Sequence, residues 1–147
     1  MISVKVVETQ DELKQIFAIR EEVFVKEQKV APEEEYDEFE EISIHFIATD
    51  ESGNPCGTAR WRFTDNGMKL ERFAVLKSHR GKGVGQALVK AVIDNIKENP
   101  KAKGKKMYMH AQIPAVSLYS RFGFEKVGDQ FEECNIMHYQ MEMMNNQ

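Results

Sequence analysis

The stretch from Leu70 to Ala87 leaves few folds open to this chain. Leu70-Glu71-Arg72-Phe73-Ala74-Val75-Leu76 is an apolar run of strand length with two charges inside it. Arg80-Gly81-Lys82-Gly83-Val84-Gly85-Gln86-Ala87 follows, and Val84, Ala87, Leu88, Ala91, Val92 and Ile96 recur at helical spacing. The pattern predicts a strand, a glycine turn and an amphipathic helix that begins near Gly83 or Val84. The first N–H groups of such a helix have no partner within it. Glycines at 81, 83 and 85 let a ligand approach that backbone closely, and Arg80 and Lys82 place positive charge at the mouth. A phosphate or pyrophosphate is the natural guest. The string contains neither G-x-x-x-x-G-K-S/T nor G-x-G-x-x-G. It fits R-x-x-G-x-G, with Arg80, Gly83 and Gly85 in place.

The chain as a whole is long enough for one domain with a real core, residues 1–147, and too short for two ordinary ones. A net charge of −4 argues against wholesale nucleic-acid binding. No apolar run approaches the length of a membrane span, and Met1-Ile2-Ser3-Val4-Lys5 lacks a signal-peptide pattern, so the expectation is a cytoplasmic protein. Cys56 and Cys134 make neither a disulfide framework nor a zinc motif, and no metal is expected.

Ile2 to Val7 reads as a first strand. Thr9 and Glu12 fit a capping box, and the helix they open carries Leu13, Ile16, Phe17, Val23 and Phe24 on one face. Arg20 lies on that same face, where a charge needs either a salt-bridge partner or a ligand. Glu27 and Gln28 close the region. Seven of the eleven residues from 31 to 41 are acidic, which predicts a solvated loop or, alternatively, part of a pocket that attracts a cationic amine. Glu35 and Asp37 are the candidates within it, with Tyr36 between them as an anchor. Three strands then form a meander: Ile42 to Thr49, Cys56 to Phe63 and Met68 to Leu76, the last two joined by the hairpin signal Asp65-Asn66-Gly67. His45 reads as a satisfied side chain.

Asn99-Pro100 ends the central helix, and Lys106 to Gln112 is the next strand. A helical crossover joins it to the Met68–Leu76 strand, so these two should run parallel. Pro114 suits the first turn of a short helix with Ala115, Leu118, Tyr119 and Phe122 on one face, stopped by Gly123. Strands from Phe124 onward and from Ile136 to Met144 complete the chain. Methionines 141, 143 and 144 on the last strand offer a basis for a homodimer.

The glycine loop, placed between that strand and that helix, resembles the acetyl-CoA pyrophosphate loop of the GNAT superfamily of N-acetyltransferases. The segment Ala115-Val116-Ser117-Leu118-Tyr119-Ser120-Arg121-Phe122-Gly123-Phe124 is similar to the superfamily's A-x-x-L-Y-x-x-x-G-F motif. The order of elements resembles the GNAT fold across nearly the whole chain. Arg20, Val23-Phe24-Val25, Glu27-Gln28 and His110-Ala111-Gln112 further resemble the bacterial ElaA/YjcF-like branch.

The resemblance implies an α/β fold with a mixed, mostly antiparallel sheet and one parallel pair that splays apart at the cofactor site. It implies direct acetyl transfer from acetyl-CoA to a small amine or a lysine-containing acceptor. Arg80, Gly81, Lys82, Gly83, Val84 and Gly85 would hold the pyrophosphate, and the backbone of Phe73, Ala74 and Val75 the pantetheine and thioester. Tyr119 would protonate the leaving sulfur, and Arg20, Glu27, Gln28 and His110 would line the acceptor side. Many members carry an asparagine where this chain has Gln112.

Glu71 is a candidate general base, on the strand that leads to the loop. It is equally a candidate ion-pair partner of Arg60 or Arg62 on the neighbouring strand. His110 is the reserve base. Two other readings stay open from sequence: an acyl-CoA-binding sensor or interaction module without turnover, and an O-acyl or longer-chain acyltransferase.

Overall fold

The computed structural model describes residues 1–145. Seven strands form one sheet: β1 (Ser3–Val6), β2 (Ile44–Thr49), β3 (Pro55–Thr64), β4 (Gly67–Val75), β5 (Lys106–Gln112), β6 (Glu125–Glu133) and β7 (Ile136–Met144), in the spatial order β1-β2-β3-β4-β5-β7-β6. Every neighbouring pair is antiparallel except β4 and β5. The parallel pair is the one that the crossover helix predicts, since two parallel strands cannot be joined by a tight turn.

That crossover is α3 (Val84–Lys97), whose buried residues Val84, Leu88, Val89, Val92, Ile93 and Ile96 follow the helical spacing of the sequence. They pack with Phe46, Ala48, Ala59, Trp61, Leu70, Met107 and Met109 into the main core. Trp61 spans this layer and donates its indole N–H to Asn95 of α3 at 2.9 Å. Strand alternation turns Arg60 to the other face of the sheet. That face is covered by α1 (Gln10–Arg20), capped by Thr9 and Glu12 as their spacing predicts.

Three local features depart from expectation. The first helix does not end at Arg20 but widens into a π-helix over Glu21–Glu27, with Gln28 donating its backbone N–H to the carbonyl of Val23 five residues back. The wider turn buries Val23 and Phe24, which join Ile19, Val30 and Ala74 in a second, smaller core. The acidic stretch is partly helical, α2 (Pro32–Glu35), with Pro32 in its first turn. Strand β2 begins at Ile44, two residues later than predicted, because Ser43 folds back and hydrogen-bonds the carbonyl of Phe39. Of the methionines of β7, Met141 is buried and Met143 packs against the same cluster, while Met137 and Met144 are exposed.

Candidate active site

The cleft arises from a break in the sheet. Strands β4 and β5 pair only at Met68 with Met107 and at Lys69 with Tyr108, and beyond those residues they part. A bulge on β4 accompanies the parting: the register against β3 shifts between Thr58 and Arg60, so Arg72 and Phe73 stand against one residue of the partner. Arg72 takes a left-handed backbone, with φ of 59°, which is rare for a residue with a side chain. Its guanidinium helps to hold it there, donating to the carbonyl oxygens of Glu34 and Glu35 and to Asp37.

Two cavities occupy the gap. The outer one is lined by Val75, Arg80, Gly81, Gly83, Val84, Gly85 and Gln86, with Leu118 and Pro114 opposite. The inner one runs from Phe73 and Tyr119 past Glu71, His110 and His138 to Arg62 and Lys69. Gln112 and Ala115 border both, so the cavities meet there.

In the outer cavity Gly83 precedes α3 with a φ of 84° and Gly81 has a φ of 77°, conformations that glycine adopts without strain. No side chain caps the helix. Its first N–H groups are therefore available to an anion. Arg80 is anchored beside them, its Nε donating to the carbonyl of Val75 at 3.1 Å and both Nη groups to the carboxylate of Glu27 at 2.8 and 3.0 Å. Glu27 thus positions the loop arginine and lines neither cavity. Gln28 stands across the junction from Gln112, and the two amides exchange hydrogen bonds at 2.8 and 3.3 Å.

In the inner cavity Tyr119 is 6% exposed and packs edge-on against Phe73 and Phe124. Burial pushes its phenol well above the ordinary value, so it keeps its proton. Its hydroxyl has no hydrogen-bond partner among the described residues. His110 donates from Nδ1 to Glu133 at 3.1 Å, and this bond holds the Glu133 carboxyl below its usual range.

The floor and one wall are an ion-pair network. Arg60, fully buried, bridges Asp37, Glu40 and Glu71. Glu71 also accepts from Arg62 at 2.8 Å and faces Lys69 at 3.5 Å. Burial alone would raise the Glu71 carboxyl, but Arg60 and Arg62 outweigh it and the net shift is downward. Of the two roles that its sequence position allowed, the geometry is that of the ion pair. A carboxylate held by two guanidiniums is a poor proton acceptor.

Arg20 is likewise saturated. It is 1% exposed, binds the carboxylates of Glu35 and Glu40 and the carbonyl of Glu35, and lines neither cavity. The expectation that it meets the acceptor is corrected accordingly: it fastens the acidic segment. Glu35 and Asp37 do line the inner cavity, but Arg20, Arg60 and Arg72 neutralise them. Tyr36 anchors the segment as expected, donating to the carbonyl of Phe17 at 3.3 Å.

A sequence profile described as "Acetyltransferase (GNAT) domain" matches residues 7–145. The chain belongs to the GNAT acetyltransferase family. Among relatives of this GNAT chain, the Bacillus subtilis protein named "Uncharacterized N-acetyltransferase YjcF" is 41% identical over 137 residues, covering 92% of this chain and 95% of the relative. Escherichia coli ElaA superposes with a TM-score of 0.83 at 24% identity, covering 97% of this chain and 99% of the other. An acyl-CoA N-acyltransferase from Pseudomonas aeruginosa superposes with a TM-score of 0.81 at 25% identity, covering 97% of each chain. As a GNAT protein the chain is an acyltransferase.

The sequence offers Arg60 only as a possible partner of Glu71, and the GNAT site adds Asp37 and Glu40 to it. His138 carries no signal in the sequence. It lies in the inner cavity because β7 pairs with β5, directly opposite Gln112. Cys134 donates its thiol to Glu34 at 3.2 Å, and burial with that carboxylate nearby pushes it up to about 11, so it is a neutral thiol. Among the described residues no group of His, Cys, Asp and Glu is arranged to hold a metal, and no helix is long and apolar enough to cross a membrane.

Proposed function

We propose that this GNAT protein transfers an acetyl group directly from acetyl-CoA to a primary amine on a small molecule or a lysine side chain. The observation that carries the reading is the gap between β4 and β5, with the glycine loop at its mouth and Tyr119 inside it. The outer cavity offers uncapped N–H groups and Arg80 to a pyrophosphate. The pantetheine would then follow the free edge of β4, bonding the backbone of Phe73, Ala74 and Val75, and place the thioester near Gln112 where the cavities meet. There the amine attacks the carbonyl carbon, the C–S bond breaks, and Tyr119 supplies a proton to the sulfur. The neutral thiol of Cys134 and the buried Cys56 favour direct transfer over an acyl-cysteine intermediate. The neutralised acidic segment leaves the acceptor's class to other groups in the inner cavity.

The loop assignment is tested by Gly83→Glu. The new side chain brings a negative charge to the pyrophosphate position and needs a backbone conformation that it adopts poorly. Acetyl-CoA affinity measured by calorimetry should fall at least 100-fold, while the melting temperature measures any loss from strain. Unchanged affinity would refute the assignment.

A further inference from the structure

We infer that His138 is the group that takes the proton from the acceptor amine. The inference rests on the acetyl-transfer reading above. A direct transfer needs a proton acceptor where thioester and amine meet, and Glu71 is occupied by arginines.

His138 stands at that level of the cleft. It is the direct cross-strand partner of Gln112, the residue that borders both cavities. Facing residues in an antiparallel pair have Cα atoms about 4.5–5.5 Å apart and project to the same side. The ring reaches the inner cavity from β7, shares its lining with Tyr119, and is 6% exposed.

Its orientation and tautomer are fixed. Nδ1 lies 2.7 Å from the carbonyl oxygen of Ile136, which can only accept, so Nδ1 carries the hydrogen. In the neutral ring Nε2 then holds the lone pair. Nε2 has no hydrogen-bond partner among the described residues. Phe131 stacks on the ring, with centroids 5.8 Å apart and planes 22° from parallel. An imidazole in a cavity wall, with one nitrogen tied to backbone and the other without a partner, is an arrangement that general-base catalysis uses.

The same cavity wall carries Glu71 with Arg62 and Lys69, and Asp37 with Arg72, all paired among themselves. Glu133, on β6, lines it too and accepts from His110. His110, on β5, packs edge-on against Phe131, with ring centroids 5.1 Å apart. Cys134, at the turn between β6 and β7, shares the cavity wall. His110 is the rival base, since its Nε2 is also without a partner among the described residues. It lies two residues further into the gap than Gln112, and Glu133 occupies its other nitrogen.

The step balances as follows. The acceptor ammonium gives one proton to Nε2 of His138. The freed lone pair forms the C–N bond at the thioester carbonyl, and the C–S bond breaks. The thiolate takes a proton from Tyr119, which is replaced by the second proton leaving the nitrogen. The products are the amide, free CoA and one proton released from His138 to solvent.

The test compares kcat/KM for an accepted amine across pH in the wild type, His138→Asn, His138→Gln and His110→Gln. Asparagine preserves a donor for the Ile136 carbonyl without a basic nitrogen, so it separates chemistry from folding. The melting temperature and acetyl-CoA affinity of each variant are measured alongside. His138→Asn, with near-normal acetyl-CoA affinity, should lose about 100-fold in kcat/KM and the acid-side fall of the wild-type profile. His110→Gln should retain that fall. If His138→Asn keeps the acid-side fall and His110→Gln removes it, or if a folded His138 variant turns over at the wild-type rate, the inference is wrong. A wild type that binds acetyl-CoA but transfers to no amine refutes the acetyl-transfer reading instead, before His138 is tested.

Discussion

Replacing Arg60 with methionine is the sharpest test of how the cleft is held open. The guanidinium makes five hydrogen bonds, from 2.6 to 3.0 Å, to Asp37, Glu40 and Glu71. Methionine fills a similar space and leaves three carboxylates together. Each keeps at least one other cation: Arg72 for Asp37, Arg20 for Glu40, and Arg62 and Lys69 for Glu71. Breaking a buried ion pair on one side costs about 3–5 kcal/mol, and the remaining partners place this case near the lower end, about 3 kcal/mol. For a chain of this size that lowers the melting temperature by roughly 6–12 °C.

The sign of the pH dependence follows from the same contacts. Asp37, Glu40 and Glu71 all have carboxyl groups held below their ordinary range, against a burial effect that pushes them up. A depressed carboxyl stabilises the fold above its unfolded value, about 4, and that stability is lost as pH falls through the depressed values. Without Arg60 the burial effect is less opposed, so protonation relieves the variant before it affects the wild type. Urea unfolding should therefore show a gap of about 3 kcal/mol at pH 7 that narrows toward pH ~4. A variant within ~0.5 kcal/mol of the wild type at pH 7, or a gap that widens on acidification, would refute the reasoning.

Two further outcomes follow from the site. Tyr119→Phe should lower kcat about 100-fold with little change in acetyl-CoA affinity, because it removes a proton and no binding contact; stopped-flow or steady-state thiol release measures it, and a full-speed variant removes Tyr119 from the chemistry. Glu71→Gln should lower stability but leave the pH profile of kcat/KM in place, since its carboxylate is an ion-pair partner; a displaced acid-side fall would restore it as the base.

Much of the fold can be read along the chain because each element carries its own periodicity. The crossover helix, the capping box at Thr9, the hairpin at Asp65-Asn66-Gly67 and the strand Ile136–Met144 all depend on residues close together in sequence. The glycine loop is legible for the same reason. The π-helix is not, because its widening depends on Val23 and Phe24 reaching Ala74 on another element. The roles of the charges were hidden likewise. Arg20 and Glu35 are fifteen positions apart and Arg60 and Asp37 twenty-three, and no local pattern pairs them. His138 became visible only when the register of β5 against β7 set it opposite Gln112.

The measurement that bears most directly on acetyl transfer is thiol release from acetyl-CoA. It is run with pooled amines, with a lysine peptide and without acceptor, on protein shown by calorimetry to bind acetyl-CoA. Acetyl-CoA-dependent release above the acceptor-free blank, traceable to one amine when the pool is divided, is the predicted result. Tight acetyl-CoA binding with no release above the blank from any amine or peptide would contradict the account and leave a protein that senses acyl-CoA without consuming it.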